Sequence, residues 1–115
     1  MEPTPRFLQA VRPFVGVGLD DFQPFDPPLR YTVPDHASAQ CVYFRGGNSS
    51  DELATVVLTR DGEPIRLFPI GARASIHVQL RITEQLLDDT TLELHIAAPA
   101  GATGTAVLDL GILEL

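Results

Sequence analysis

Three histidines, one cysteine and several paired acids are the side chains through which this sequence could do chemistry. His77 and His95 sit in two stretches, 74–82 and 90–97, that alternate apolar and polar residues. A hairpin with Ile82 opposite Thr90 puts His77 opposite His95 and Gln79 opposite Glu93. Directly opposite side chains on one sheet face have Cβ atoms roughly 5 Å apart. His77, His95 and Glu93 are therefore the candidate metal ligands. A slip of two residues gives an ordinary Arg81–Glu93 ion pair instead. Two histidines without a recognisable third-ligand spacing are a solvated sheet face in the simpler reading, so no metal and no other cofactor is expected.

Asp35 and His36 lie beside Ser38 and near Cys41, which supplies a nucleophile and a base on paper. No Gly-x-Ser-x-Gly elbow occurs, and the expectation is a loop Asp and His without catalysis. Cys41 is expected to be reduced and buried as a small hydrophobe. Asp51-Glu52 and Asp88-Asp89 are adjacent acids rather than the interleaved ligands of a calcium loop, so they read as exposed loop charge. Arg45-Gly46-Gly47-Asn48 has no phosphate-loop lysine and reads as a hairpin turn. Asn48-Ser49-Ser50 fits the glycosylation pattern, which matters only in a secreted chain. No catalytic residue is assigned, and the chain is expected not to be an enzyme.

Composition narrows the classes further. The 115 residues suit one domain, with 44% hydrophobic and 20% charged residues. Fifteen acids against eight basic residues give a net charge of −7. With no basic cluster, nucleic acid is not an expected partner. No run of 18 apolar residues exists to cross a membrane. One cysteine makes neither an internal disulfide nor a cysteine-based zinc site. Every basic residue is arginine, which GC-rich codon usage explains as well as any interface does. Residues 1–6 do not resemble a signal peptide, so the chain is expected in the cytoplasm as synthesised.

The elements that must position these side chains are strands. Seven of the ten prolines fall within residues 1–34, which sets 1–37 apart as an arm from a body at 38–115. The arm holds four of the six phenylalanines and so is no disordered tail. Thr4-Pro5 looks like a helix start and predicts one or two turns over 5–12, with short strands at 14–18 and 29–33. The body reads as six strands: 39–44, 54–59, 65–70, 74–82, 90–97 and 105–115. Asp61-Gly62 marks a tight hairpin, and Pro69 makes 65–70 an edge or bulged strand. Val56, Leu58, Ile76, Val78, Leu80, Leu92, Leu94 and Ile96 are the expected core. The fold class is all-β: a small antiparallel β-sandwich, jelly-roll-like or immunoglobulin-like, with a proline- and aromatic-rich N-terminal arm. Phe7, Leu8, Val11, Phe14, Val15 and Val17 are expected to dock on a protein partner, a second copy or a larger subunit, or on the body itself.

Residues 41–82 resemble small head proteins of phages and gene transfer agents, of the spike-base type. The resemblance rests on Val42-Tyr43, the Gly46-Gly47 pair, Thr55-Val56-Val57-Leu58-Thr59 with Asp61-Gly62, Phe68-x-x-Gly71-Ala72, and a strand ending at Arg81-Ile82. It implies a non-catalytic sandwich oligomer seated on a larger assembly. The leading expectation is accordingly a structural assembly protein, a virion-associated head decoration or spike-base subunit located in the virion. The alternatives are a small accessory subunit of a soluble multi-subunit enzyme and a carbohydrate or small-ligand binding module. The absence of Trp and the presence of only two Tyr weigh against the last.

Overall fold

The computed structural model describes residues 2–80 and 86–115. The described residues form eight strands: β1 (Thr4–Val15), β2 (Gly18–Thr32), β3 (Ala39–Asn48), β4 (Ala54–Arg60), β5 (Glu63–Ile70), β6 (Ser75–Gln79), β7 (Thr91–Ala98) and β8 (Thr103–Glu114). They make two four-stranded antiparallel sheets, β1-β8-β3-β6 and β2-β7-β4-β5. No helix among the described residues is long and apolar enough to cross a membrane.

Successive strands alternate between the sheets at every step except one. The exception is β4–β5, joined at Asp61 and Gly62 with φ of 51° and 87°. Two positive φ values are what a type I′ hairpin needs, and Asp-Gly supplies them at low cost. Two equal four-stranded sheets with this interleaving are a jelly-roll sandwich, not the uneven sheets of an immunoglobulin domain.

The six expected body strands are all present, within a few residues of their expected ends. The helix expected over 5–12 is replaced by β1, which pairs with β8 along its whole length. The prolines that suggested irregular structure are accommodated because β1, β2 and β5 are sheet edges, where a missing N–H faces solvent. Gly46-Gly47 is not a turn either. Both residues lie inside β3, which runs on to Asn48.

One core fills the space between the sheets. Phe44 stacks on Phe68 with ring centroids 4.3 Å apart, and Val56, Leu58, Leu92, Leu94, Leu108, Leu110 and Ile112 surround them, all fully buried. Cys41 is buried with them. Ile76, Val78 and Leu80, expected at the centre, are only half-buried, because β6 is an edge strand.

Two polar devices hold the margins. Tyr31 of β2 donates to Glu114 of β8 at 2.5 Å, and Arg6 of β1 reaches the same oxygen at 3.2 Å, so the two sheets are clipped together. The Tyr31 hydrogen bond, with Arg6, holds the Glu114 carboxyl below the usual carboxylate range. Burial, and then the same hydrogen bond, pushes the Tyr31 hydroxyl up. At the other end, buried Asn48 donates to the carbonyls of Glu52, Ile70 and Gly71 at 2.8, 3.2 and 3.2 Å, and accepts from the Ser50 N–H at 2.9 Å. It fixes the end of β3 against the β5–β6 connection.

Candidate functional site

The outer face of the first sheet carries a built array of side chains, set by register. Opposite Cα partners run Phe7, Gly111, Tyr43, Gln79 in one row across β1, β8, β3 and β6. The next row is Gln9, Asp109, Arg45, His77, and the third is Val11, Val107, Gly47, Ser75.

Tyr43 reaches this face because of a bulge. Cys41 opposes Ile112 and Tyr43 opposes Gly111, so Val42 is an extra residue and the alternation shifts by one. The ring then lies across Gly111. A Cβ at 111 would sit 2.1 Å from the ring, so only glycine permits this placement. The Tyr43 hydroxyl donates to Asp109 Oδ1 at 2.9 Å, and Gln9 Nε2 donates to the same oxygen at 3.2 Å. Burial and the Asp109 bond push the Tyr43 hydroxyl pKa up, which keeps it a donor. Arg45 lies over the ring with its guanidinium carbon 5.5 Å from the centroid. His77 meets the ring edge-on at 6.1 Å.

Beside this cluster is an open groove of about 740 Å³, lined by Arg45, Gly46, Gly47, Ser75, Ile76, His77, Val107 and Asp109. Among the described residues the Arg45 guanidinium makes no hydrogen bond or ion pair; its contact is with the Tyr43 ring. Its fork of donors therefore faces the groove uncommitted. An aromatic ring, an exposed valine and a few convergent polar groups can hold a ring-shaped, hydroxyl-rich ligand by its flat face and its edge.

The expected metal pair does not form. His77 is on β6 of the first sheet and His95 on β7 of the second, and β6 pairs with β3, not with β7. Strands from both sheets show the same in–out alternation, so shared parity does not imply pairing. His95 instead packs under Phe22, ring centroids 5.4 Å apart. Its Nε2 is 3.3 Å from Glu93 Oε2, too poorly aligned for a hydrogen bond, and Glu93 Oε1 takes Arg30 at 2.9 Å. Among the described residues no three His, Cys, Asp or Glu converge as metal ligands.

The paper dyad is also dispersed. Asp35 and His36 lie in the β2–β3 loop, while Cys41 points into the core. Asp35 stands beside Asp89, and that like charge pushes the Asp89 carboxyl above its usual range. Asp51 is paired with Arg73 at 2.5 Å. Of the six expected docking residues, strand alternation turns Phe14 into the core and leaves Leu8 half-buried against it. Phe7, Val11, Val15 and Val17 are exposed. Arg81 and Ile82, singled out in the sequence, lie outside the described residues.

No protein-family model matches the sequence, and no curated protein matches it. Solved structures do. One is the CBM36-1 domain of a multidomain xylanase from the hindgut metagenome of Trinervitermes trinervoides, with a TM-score of 0.60, 16% identity and 96% of each chain covered. Another is a family 35 carbohydrate-binding module from Clostridium thermocellum, with a TM-score of 0.53, 15% identity, 95% of this chain and 97% of that one covered. This chain has the β-sandwich fold of those carbohydrate-binding modules. The likeness corrects the leading functional expectation. The similar solved structures are carbohydrate-binding modules and not virion proteins, so the virion decoration or spike-base role and the virion location expected from residues 41–82 are withdrawn.

Proposed function

We propose that this chain is a non-catalytic carbohydrate-binding module that holds a glycan on the outer face of β1-β8-β3-β6. The observation that carries this is the groove beside Tyr43, where Arg45, His77, Ser75 and Asp109 converge on a surface floored by Val107 and glycine backbone. Val107 and the bare Gly47 backbone contact the C–H face of a sugar ring, Tyr43 seats Arg45 beside them, and Arg45 and Asp109 bond its hydroxyls. The absence of Trp and the presence of only two Tyr do not preclude sugar binding here. One tyrosine laid over Gly111 carries Arg45 to the groove and bonds Asp109, a role that a count does not register. Arg45 alone is a poor footprint for nucleic acid, given the overall charge of −7.

Affinity electrophoresis through gels containing xylan, mixed-linkage glucan, galactomannan or polygalacturonate tests the reading. At least one polysaccharide is expected to retard the wild-type chain and to lose most of that effect on Tyr43→Ala. Equal mobility in every gel would overturn it.

A further inference from the structure

Two adjacent glycines in β3 have different reasons to be there. A Cβ on Gly46 would fall 2.7 Å from the Phe44 ring and 2.8 Å from Ile70, so core packing requires glycine at that position. A Cβ on Gly47 would meet only Val107, at an ordinary 3.6 Å, and its φ is not in the left-handed region. Neither packing nor backbone conformation explains Gly47. Glycine inside a strand weakens it, and where the fold does not need it, the usual reason is close approach of something to the backbone.

The register shows what approaches. Val11, Val107, Gly47 and Ser75 lie in one line across all four strands. Val11 and Val107 are 60% and 53% exposed, which leaves an apolar floor with no protein cover. The neighbouring line, Gln9, Asp109, Arg45 and His77, is a polar wall along one side. Three strand spacings make this trench roughly 14 Å long. The row crosses the sheet from one edge strand to the other, the groove occupies its β8, β3 and β6 part, and a side chain at 47 would stand in the middle of that part.

Resting on the glycan reading above, we infer that the trench takes an interior run of several units of a linear polysaccharide, lying across the strands, and that Gly47 determines this specificity by leaving the backbone bare. A ligand bound by its end needs a wall at that end. The row ends instead at Val11 on the edge strand β1 and Ser75 on the edge strand β6, both exposed, so no wall stands at either end.

Calorimetric titration of the whole chain tests this, using xylo-, gluco- and manno-oligosaccharides of one to six units, each also with its reducing end blocked as a methyl glycoside. At least tenfold tighter binding is expected from two units to four, unchanged by blocking. Gly47→Thr is expected to weaken binding of the longest oligosaccharide at least tenfold while raising the melting temperature by about 2–5 °C, since a β-branched residue suits a strand better than glycine. A monosaccharide bound as tightly as the hexamer, or binding abolished by end-blocking, would overturn the interior mode. Wild-type affinity in Gly47→Thr, with Tyr43→Ala still defective, would overturn the trench and leave the sheet-face site standing. Binding of none of these sugars, or of the polysaccharides above, would remove the glycan reading itself.

Discussion

The two outer faces of the sandwich are built from the same alternating strands and end up with opposite characters. On the first sheet, Tyr43, Arg45, His77 and Asp109 stand around an open groove, and Val11 and Val107 are left bare. On the second, Val57, Thr59 and Ala97 also point outward, yet each is 3% exposed or less. There Phe22 lies against His95 and Arg30 ties down Glu93. The difference comes from β2, an edge strand with two breaks in register against β7, whose long irregular course folds its own side chains over its sheet. The first sheet has no such strand, and glycines at 47 and 111 lower its surface further. Alternation decides which residues point outward. Whether an outward residue meets solvent depends on irregularities in the neighbouring strands.

The largest expected effects should not distinguish the faces, because both sheets share one core. Leu94→Ala in β7 and Leu108→Ala in β8 each remove a fully buried side chain, and each should lower the unfolding free energy by about 2–5 kcal/mol in chemical denaturation. A loss confined to one of them would mean that the sheets unfold separately.

The contrast itself is probed next. Tyr43→Ala should weaken glycan binding at least tenfold, about 1.4 kcal/mol, with a smaller change in stability. Phe22→Ala should do the reverse, costing about 1 kcal/mol of stability by stripping cover from His95, with glycan affinity unchanged. If Phe22→Ala impairs binding as much as Tyr43→Ala, the site has been placed on the wrong face.

A smaller effect concerns the clip between the sheets. The native Glu114 carboxyl keeps its charge to lower pH than it does in the unfolded chain. Its contribution to stability is therefore complete above the ordinary glutamate range, about 4.3, and fades as pH falls through the lower native value. Tyr31→Phe should flatten that acid limb in urea denaturation measured from pH 6 to 3, leaving the core-dominated plateau nearly unchanged. An unaltered slope would mean that Arg6 alone sets the Glu114 titration.

The sequence made the strands of the body legible because period-two alternation is local. Ser75 to Gln79 and Thr91 to Ala98 alternate whatever their neighbours. Pairing is not local in this topology. Among the described residues the one hairpin between consecutive strands carries an Asp-Gly signal, while the connections that cross the sandwich carry none, and nothing local separates His77 from His95. Residues 4–32 were obscured by a rule applied to one segment and not another. Proline correctly marked β5 as an edge, and the same logic read Pro5, Pro13, Pro24, Pro27 and Pro28 as an arm instead of two edge strands. His77 is legible from its chemistry alone, whereas the placement of Tyr43 and the bare backbone at Gly47 depend on a bulge and on a register that no local pattern carries. The available signal was glycine inside strand-forming runs, at 47 and at 111, where a close approach to backbone is the physical reason for it.

The pairing of β1 with β8 also has a temporal consequence. Thr4 is the Cα partner of Glu114, and β1 has no neighbour in its sheet other than β8. On the ribosome, β1 leaves the exit tunnel ahead of the other described strands and waits through six of them before its partner β8 is made. β8 is also the strand that joins β1 to β3, so until residues 103–114 emerge the first sheet lacks its centre. The first sheet can therefore be completed only after translation of β8. During that wait Leu8 and Phe14, which turn into the core of the finished sandwich, have no sheet to belong to, so the nascent chain exposes apolar surface that the folded one hides.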